Sequence, residues 1–211
     1  MIHKRHTYIS PFHVHVTLYR PKEGFPVLVR SRAANARLSG TTDMQAAIAG
    51  VDVVIEAVPE IMDLKKKIFT ELGDSLDANV LLATNTSSLP IAEIASAARF
   101  PERVTGMHFF NPATVMKLVE VISTQRTAEA TKDGAAAFAA DVLGKRVVHC
   151  KDRAGFVVNM LLVPYLCQAM RMYEAGHASA EDIDEAMKLG AGHPMGPLTL
   201  SDMIGLDVML W

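Results

Sequence analysis

The chain has 211 residues, half of them hydrophobic and 21% charged, with a formal net charge of −2. That balance suits a folded protein with a sizeable core, excludes global disorder and gives no general attraction to nucleic acid. Cys150 and Cys167 are the only cysteines, which excludes a disulfide framework and suits a reducing, cytoplasmic compartment. No apolar run reaches the roughly eighteen residues of a membrane span, and no secretory apolar core opens the sequence.

The near-neutral total hides a split. Residues 1–40 carry seven Lys or Arg against one acid, Glu23, a net of +6, whereas residues 41–211 carry fourteen bases against twenty-two acids, a net of −8. Four of the eight histidines, His3, His6, His13 and His15, also fall in this opening segment. Residues 13–19 (HVHVTLY) alternate weakly and read as one strand, after which Pro21, Gly24 and Pro26 break any regular element. Three readings of residues 1–33 stand side by side: a solvated basic leader, favoured by composition, a basic targeting peptide, and a His-rich metal site. The second lacks an amphipathic helix and the third a defended ligand shell, so no metal is expected.

From residue 42 onward the pattern is regular. Residues 51–58 (VDVVIEAV) form a short β-branched run between Gly50 and Pro59, the signature of a buried parallel strand. Ile61, Leu64, Ile68, Leu72 and Leu76 then recur at helical spacing, which puts Lys65, Lys66 and Lys67 on the wet side. Residues 80–83 make a second strand, followed by the polar turn Thr84-Asn85-Thr86-Ser87-Ser88 and a helix over 91–98. Strands are expected over 104–109, 118–122 and 147–150, with an alanine-rich helix over 128–143 ended by Gly144. The alternation predicts an α/β fold with a mainly parallel sheet. After Gly155 no strand pattern remains. A long helix interrupted at Pro164, a helix capped by Ser179 and Asp182 and ended by Gly190, and a last helix over 198–204 predict an all-helical second part. The organisation read from this is a leader (1–33), a partial nucleotide-binding domain (34–151) and a partial helical domain (152–211).

Two constellations carry chemistry. His108 ends one expected strand and Glu120 lies on the next, so adjacent strands bring an imidazole and a carboxylate together. A carboxylate on one ring nitrogen fixes the tautomer and leaves the other nitrogen as a general base, while a core histidine paired for packing is an equal alternative from spacing alone. The second is the 84–88 turn at the carboxyl end of a buried strand, where ligands bind in open α/β sheets. The same residues also read as an N-cap, with Ser87 or Ser88 satisfying the helix that follows. No Gly-x-Gly-x-x-Gly occurs, and Gly190-Ala191-Gly192 with Gly196 has the wrong spacing for one.

The blocks VIEAVPE (54–60), ATNTSSLPI (83–91), GMHFFNPATVMKLVEVI (106–122), CKDRAGFVVNMLLVPYL (150–166) and EDIDEAMKLGAGHPMGPLTLSDMIGLD (181–207) occur in this order. On these blocks the sequence from Ala34 to Trp211 resembles the 3-hydroxyacyl-CoA dehydrogenase family, in its bacterial 3-hydroxybutyryl-CoA dehydrogenase-like form. The resemblance implies a Rossmann-like domain followed by a helical substrate domain, NAD as cofactor and a 3-hydroxyacyl-CoA as substrate. It gives His108 the role of base toward the 3-hydroxyl, Glu120 that of its carboxylate partner, Ser87 a hydrogen bond to the substrate oxygen near the nicotinamide, and Asn159 a place in the same pocket. Glu60, Lys65 and Asn111, with Ser87, match positions that contact the cofactor.

The sequence also departs from the family pattern. The family opens with a strand, a glycine-rich phosphate turn, a helix and a second strand ending in an acid; here the basic leader stands in that place, with Arg20 where HVTLYR (15–20) would end in the acid. The 18 residues between Tyr19 and Leu38 are too few for the family's connecting helices. Met160 stands where an arginine usually follows Asn159, and the family continues beyond Trp211 with helices that complete the substrate domain and its dimer contact. The chain is therefore expected to be an incomplete Rossmann-like sheet with a C-terminally truncated helical domain, its sheet exposed where the first strand is missing. Three functions follow as alternatives: a working dehydrogenase, alone, as a homodimer or completed by another chain; a catalytically dead fragment acting at most as an interaction module; and a dehydrogenase-fold protein with a structural role or another hydroxy acid. No nucleic-acid or membrane partner is expected.

Overall fold

The computed structural model describes residues 40–206 and, nearer the N-terminus, the backbone of two strands, β1 (Arg5–Ile9) and β2 (His15–Tyr19). The chain divides into two compact units, Met1–Phe156 and Val157–Trp211.

The first unit is built on one seven-stranded sheet. Its later strands are β3 (Val53–Glu56), β4 (Leu81–Thr84), β5 (Val104–Phe109), β6 (Leu118–Ser123) and β7 (Arg146–Lys151). The order across the sheet is β2-β1-β3-β4-β5-β6-β7. The run β1-β3-β4-β5 is parallel, β5 and β6 are antiparallel, β6 and β7 parallel, and β2 lies antiparallel to β1. The sheet is thus mainly parallel, and its central strands are apolar on both faces because helices cover both. Val54, Leu82 and Val104 meet α1 (Met44–Ile48), α2 (Met62–Ser75) and α3 (Ile91–Ala95) on one face. Val53, Ile55, Ala83, Met107 and Val121 meet α4 (Glu129–Ala137) and the turn after it on the other.

Several expectations are corrected. β1 pairs in parallel with β3, so the sheet position beside β3 is filled and not exposed. A strand over 13–19 matches β2, while β1 carries no alternation in the sequence that announces it. The targeting-peptide and His-rich metal readings of the leader rest on side chains outside the described residues. Lys65 is not on the wet side of α2 but 1% exposed, because the buried carboxylate of Glu56 meets it. The helix over 128–143 stops as an α-helix at Ala137 and widens into a π-helical turn, Phe138–Val142, where the Leu143 N–H reaches back five residues to the Phe138 carbonyl. Neither Ser87 nor Ser88 caps α3; both oxygens of Asp152, some sixty residues further on, accept from the Ile91 and Ala92 N–H groups at 3.1 and 2.7 Å.

The second unit holds α5 (Val158–Glu174), α6 (Ala180–Gly190) and α7 (Pro197–Ile204). Pro164 does not interrupt α5, which runs on through it. The carbonyl its missing N–H would serve is that of Met160, four residues earlier. Ser179 caps α6 as expected, accepting from the Asp182 N–H at 3.1 Å. Gly190 is the last helical residue, and the left-handed turn falls on Gly192 (φ 69°). Buried Asp184 holds the start of α7, accepting from the Leu198 and Thr199 N–H groups at 2.8 and 2.9 Å. Burial raises its carboxyl, but the Thr199 hydroxyl, these N–H groups and Lys188 together hold it below the ordinary carboxylate value.

Candidate active site

His108 and Glu120 are directly opposite residues of the antiparallel β5–β6 pair. Opposed side chains on such a pair project from the same face of the sheet, and here the imidazole Nδ1 lies 2.7 Å from Glu120 Oε2. The imidazole side chain is 5% exposed and the carboxylate fully buried. With Nδ1 turned to the carboxylate, the other ring nitrogen, Nε2, is the one left to meet a substrate proton.

The 84–88 turn stands beside this pair. β4 and β5 are parallel neighbours, and Thr84, the last residue of β4, pairs with Gly106 two residues before His108. The Asn85 side chain then accepts from the Phe109 N–H at 2.8 Å, which ties the turn to the end of β5. Gly106 leaves room for the Ile91 and Ile122 side chains over β5, since a Cβ there would lie 2.3 Å from Ile91 Cδ1 and 2.9 Å from Ile122 Cβ. Thr86 and Ser87 are held from the other side by Glu60, whose carboxylate accepts from the Thr86 hydroxyl at 2.9 Å and the Ser87 N–H at 2.5 Å. The half-buried Ser87 hydroxyl makes no hydrogen bond among the described residues.

Behind Glu60 sits a buried ionic cluster. Glu56, at the end of β3, accepts from Lys65 Nζ at 2.8 Å and the Val58 N–H at 2.6 Å on one oxygen, and from the Thr84 hydroxyl at 2.7 Å on the other. Lys65 Nζ also donates to the Val58 carbonyl at 3.2 Å and lies 3.4 Å from Glu60 Oε2. Its three protons thus have three protein oxygens to meet, so in this arrangement Lys65 supports Glu60 from within the protein.

Two aromatic rings stand against the imidazole, Phe110 at 4.6 Å and Phe156 at 5.4 Å between centroids. Cys150 packs near Phe156, and burial first, then the charges of Glu120 and Asp152, push its thiol up to about 11. Among the described residues, no group of three or more His, Cys, Asp or Glu is placed to hold a metal ion. No described helix is long and apolar enough to cross a membrane.

Of the residues singled out in the sequence, the structure brings together His108 with Glu120, and Glu60 with Lys65 and Ser87. Asn111 is exposed just beyond β5, and Asn159 is half-buried in the first turn of α5, in the second unit. Sequence reasoning gave no role to Glu56, Phe110, Asp152 or Phe156, and read Asn85 only as part of the ligand-facing 84–88 turn. Glu56 had a visible signal, a lone acid inside an apolar strand; Asp152 and Phe156 had none beyond lying in the block CKDRAGF.

A family model described as the 3-hydroxyacyl-CoA dehydrogenase NAD binding domain matches residues 29–153, and the C-terminal domain model of the same family matches residues 155–210. The chain belongs to the 3-hydroxyacyl-CoA dehydrogenase family. A 3-hydroxybutyryl-CoA dehydrogenase of Mycobacterium tuberculosis is 51% identical over 173 residues, 82% of this chain and 60% of that protein. The human mitochondrial hydroxyacyl-coenzyme A dehydrogenase is 49% identical over 170 residues, 81% of this chain and 54% of its own length. The crystal structure of M. tuberculosis FadB2 superposes with a TM-score of 0.81 at 51% identity, covering 83% of this chain and 62% of that one. The chain therefore spans little more than half the length of the curated relatives it matches, and it carries the family's NAD-binding domain as a Rossmann-like α/β fold.

Proposed function

We propose that His108 and Glu120 act as the acid–base pair in oxidation of the 3-hydroxyl of a 3-hydroxyacyl-CoA to the 3-ketoacyl-CoA, with NAD as hydride acceptor. The observation that carries this reading is the 2.7 Å contact between Nδ1 of His108, next to the last residue of β5, and a fully buried carboxylate on β6. A buried carboxylate facing Nδ1 holds one tautomer and stabilises the ring as it takes a proton on Nε2. The proton leaves the 3-hydroxyl for Nε2 as the C3–H bond breaks. The Ser87 hydroxyl, which makes no hydrogen bond among the described residues, would hydrogen-bond the same oxygen, with the Ser87 N–H held by Glu60. Asn159, in the second unit, matches by family a residue that offers an amide to the substrate.

The residues at this strand terminus fit the nicotinamide end of a dinucleotide: a hydroxyl at Ser87 that is unbonded among the described residues, an exposed amide at Asn111 and a carboxylate at Glu60. Bound there, NAD supplies the acceptor for the C3 hydride. Lys65 contributes by holding Glu60. The diphosphate end is not matched in the same way. Dinucleotide folds seat the diphosphate on a helix N-terminus between the first two parallel strands, whereas β1 here pairs antiparallel with β2, the next strand in the chain. That antiparallel pairing favours a second reading, a chain that keeps the acid–base pair but holds the dinucleotide too weakly to turn over. The substrate in this reading is an acyl-CoA, and the chain acts alone, as a homodimer or with a complementing chain. Turnover of acetoacetyl-CoA with NADH, compared with His108→Ala, separates the two readings; direct NADH binding by fluorescence locates the defect where turnover is absent.

A further inference from the structure

We propose that Phe156 is the positioning residue for His108: a left-handed backbone turn anchored at Asp152 presses its ring against the imidazole and keeps Nδ1 turned to Glu120. The inference deepens the reading above and rests on the role given there to His108.

Phe156 is the one non-glycine residue with a positive φ (48°) among the described residues, and it follows Gly155, also left-handed at 74°. A bulky side chain in this region meets its own backbone, and such a conformation persists only where the surroundings impose it. Glycine accounts for the first of these positions; at the second, something must hold the ring in place. Core packing alone asks for no such strain, since an apolar side chain fills a core from an ordinary backbone conformation.

The segment before it shows what imposes the turn. The Asp152 N–H donates to the Ser123 carbonyl at 3.2 Å, continuing the β6–β7 pairing by one residue. The Asp152 carboxylate receives the first two N–H groups of α3, the helix that follows the Ser87 turn. The Phe156 N–H closes back on the Arg153 carbonyl at 2.9 Å. Five residues are thereby pinned at both ends, and the ring that results is 4% exposed, packs on Ile91 and Ile122, and meets the imidazole at 5.4 Å with the planes 59° apart. Phe110, at 4.6 Å and 57°, supplies a second ring. An imidazole between such walls and a carboxylate loses its freedom to rotate away from the carboxylate. One segment therefore joins three parts of the site: the helix behind Ser87, the strand that carries Glu120, and the His108 ring.

The test is nuclear magnetic resonance on the isotope-labelled full chain without substrate or cofactor. The His108 Nδ1–H proton, shifted downfield by Glu120, is followed in the unaltered chain and in Phe156→Leu, which keeps an apolar side chain and removes the ring. The proposal expects cross-relaxation between the Phe156 ring and imidazole protons in the unaltered chain. It also expects a folded Phe156→Leu whose Nδ1–H signal moves upfield or is lost by exchange with water. Where the chain turns over, the same variant should lower kcat roughly tenfold with little change in KM, as loss of alignment does. An unmoved Nδ1–H signal in folded Phe156→Leu overturns the proposal, as does absence of the cross-relaxation. A Phe156→Leu chain that does not fold also counts against it, because the ring would then be a requirement of the core. These signals are read without turnover, so their failure is distinct from failure of the dehydrogenase reading, which His108→Ala tests.

Discussion

Glu56 Oε1 and Lys65 Nζ meet at 2.8 Å with side-chain exposures of 0% and 1%, and the second carboxylate near the same ammonium, Glu60, holds the Ser87 N–H. Removing one partner of a buried pair leaves an uncompensated charge, at a cost of about 3–5 kcal/mol, whereas removing both charges costs far less. Lys65→Met should therefore lower the unfolding free energy by about that amount, and Glu56→Gln with Lys65→Met should recover most of it. Urea denaturation of the single and double variants measures the coupling; additive losses would show that the pair acts as two independent groups.

Glu120→Gln keeps the size of the side chain facing His108 and removes its charge. If the carboxylate stabilises the protonated ring, turnover should fall roughly a hundredfold or more, in the range that acid–base contributions cover. Circular dichroism should stay the same. Equal rates in the two proteins would leave the contact between Glu120 and His108 as packing alone.

Much of this was legible in the residues. The β-branched run at 51–58 and the helical spacing from Ile61 to Leu76 gave β3 and α2, because periodicity reports directly which faces are buried. The His108–Glu120 contact followed from two neighbouring strands, though only the structure distinguishes the antiparallel register that sets them opposite. Lys65 was misplaced because periodicity counts a lysine as a solvent residue, and the compensating Glu56 sits on a different element. The cap on α3 was misassigned to Ser87 or Ser88 because its actual source, Asp152, is remote in sequence, and local capping rules see only neighbours. The left-handed Phe156 had no signal at all, since backbone strain at a bulky residue is imposed by tertiary contacts.

Gly106 lies where β5 meets both Ile91 and Ile122. A methyl group there overlaps Ile91 Cδ1, a flexible tip, and also Ile122 Cβ at 2.9 Å, which cannot swing aside. Gly106→Ala should cost about 1–3 kcal/mol of stability, typical of overpacking. Because His108 is two residues further along the same strand, its Nδ1–H resonance should shift as well. A thermal midpoint equal to that of the unaltered chain would mean that the β5–α3 contact has slack.

The Cys150 thiol, raised to about 11 by burial and then by Glu120 and Asp152, should resist alkylation. At pH 8 its thiolate fraction is roughly one in a thousand, and the thiolate is the reactive form. Iodoacetamide should label the unfolded chain at Cys150 far faster than the native one. The sign of the linked stability follows: the folded thiol ionises later than the unfolded thiol, near 9. The contribution is complete below about pH 9 and is lost as pH rises toward 11. A native chain alkylated at the unfolded rate would contradict this placement.

The central claim is that His108, held by Glu120, moves the substrate proton. The most direct measurement is NADH oxidation with acetoacetyl-CoA by the purified full chain beside His108→Ala, with circular dichroism on both. The account predicts turnover in the unaltered chain and a loss of at least about a hundredfold in the variant, with matching spectra. Equal rates in the two, or no turnover by a folded unaltered chain, would contradict it.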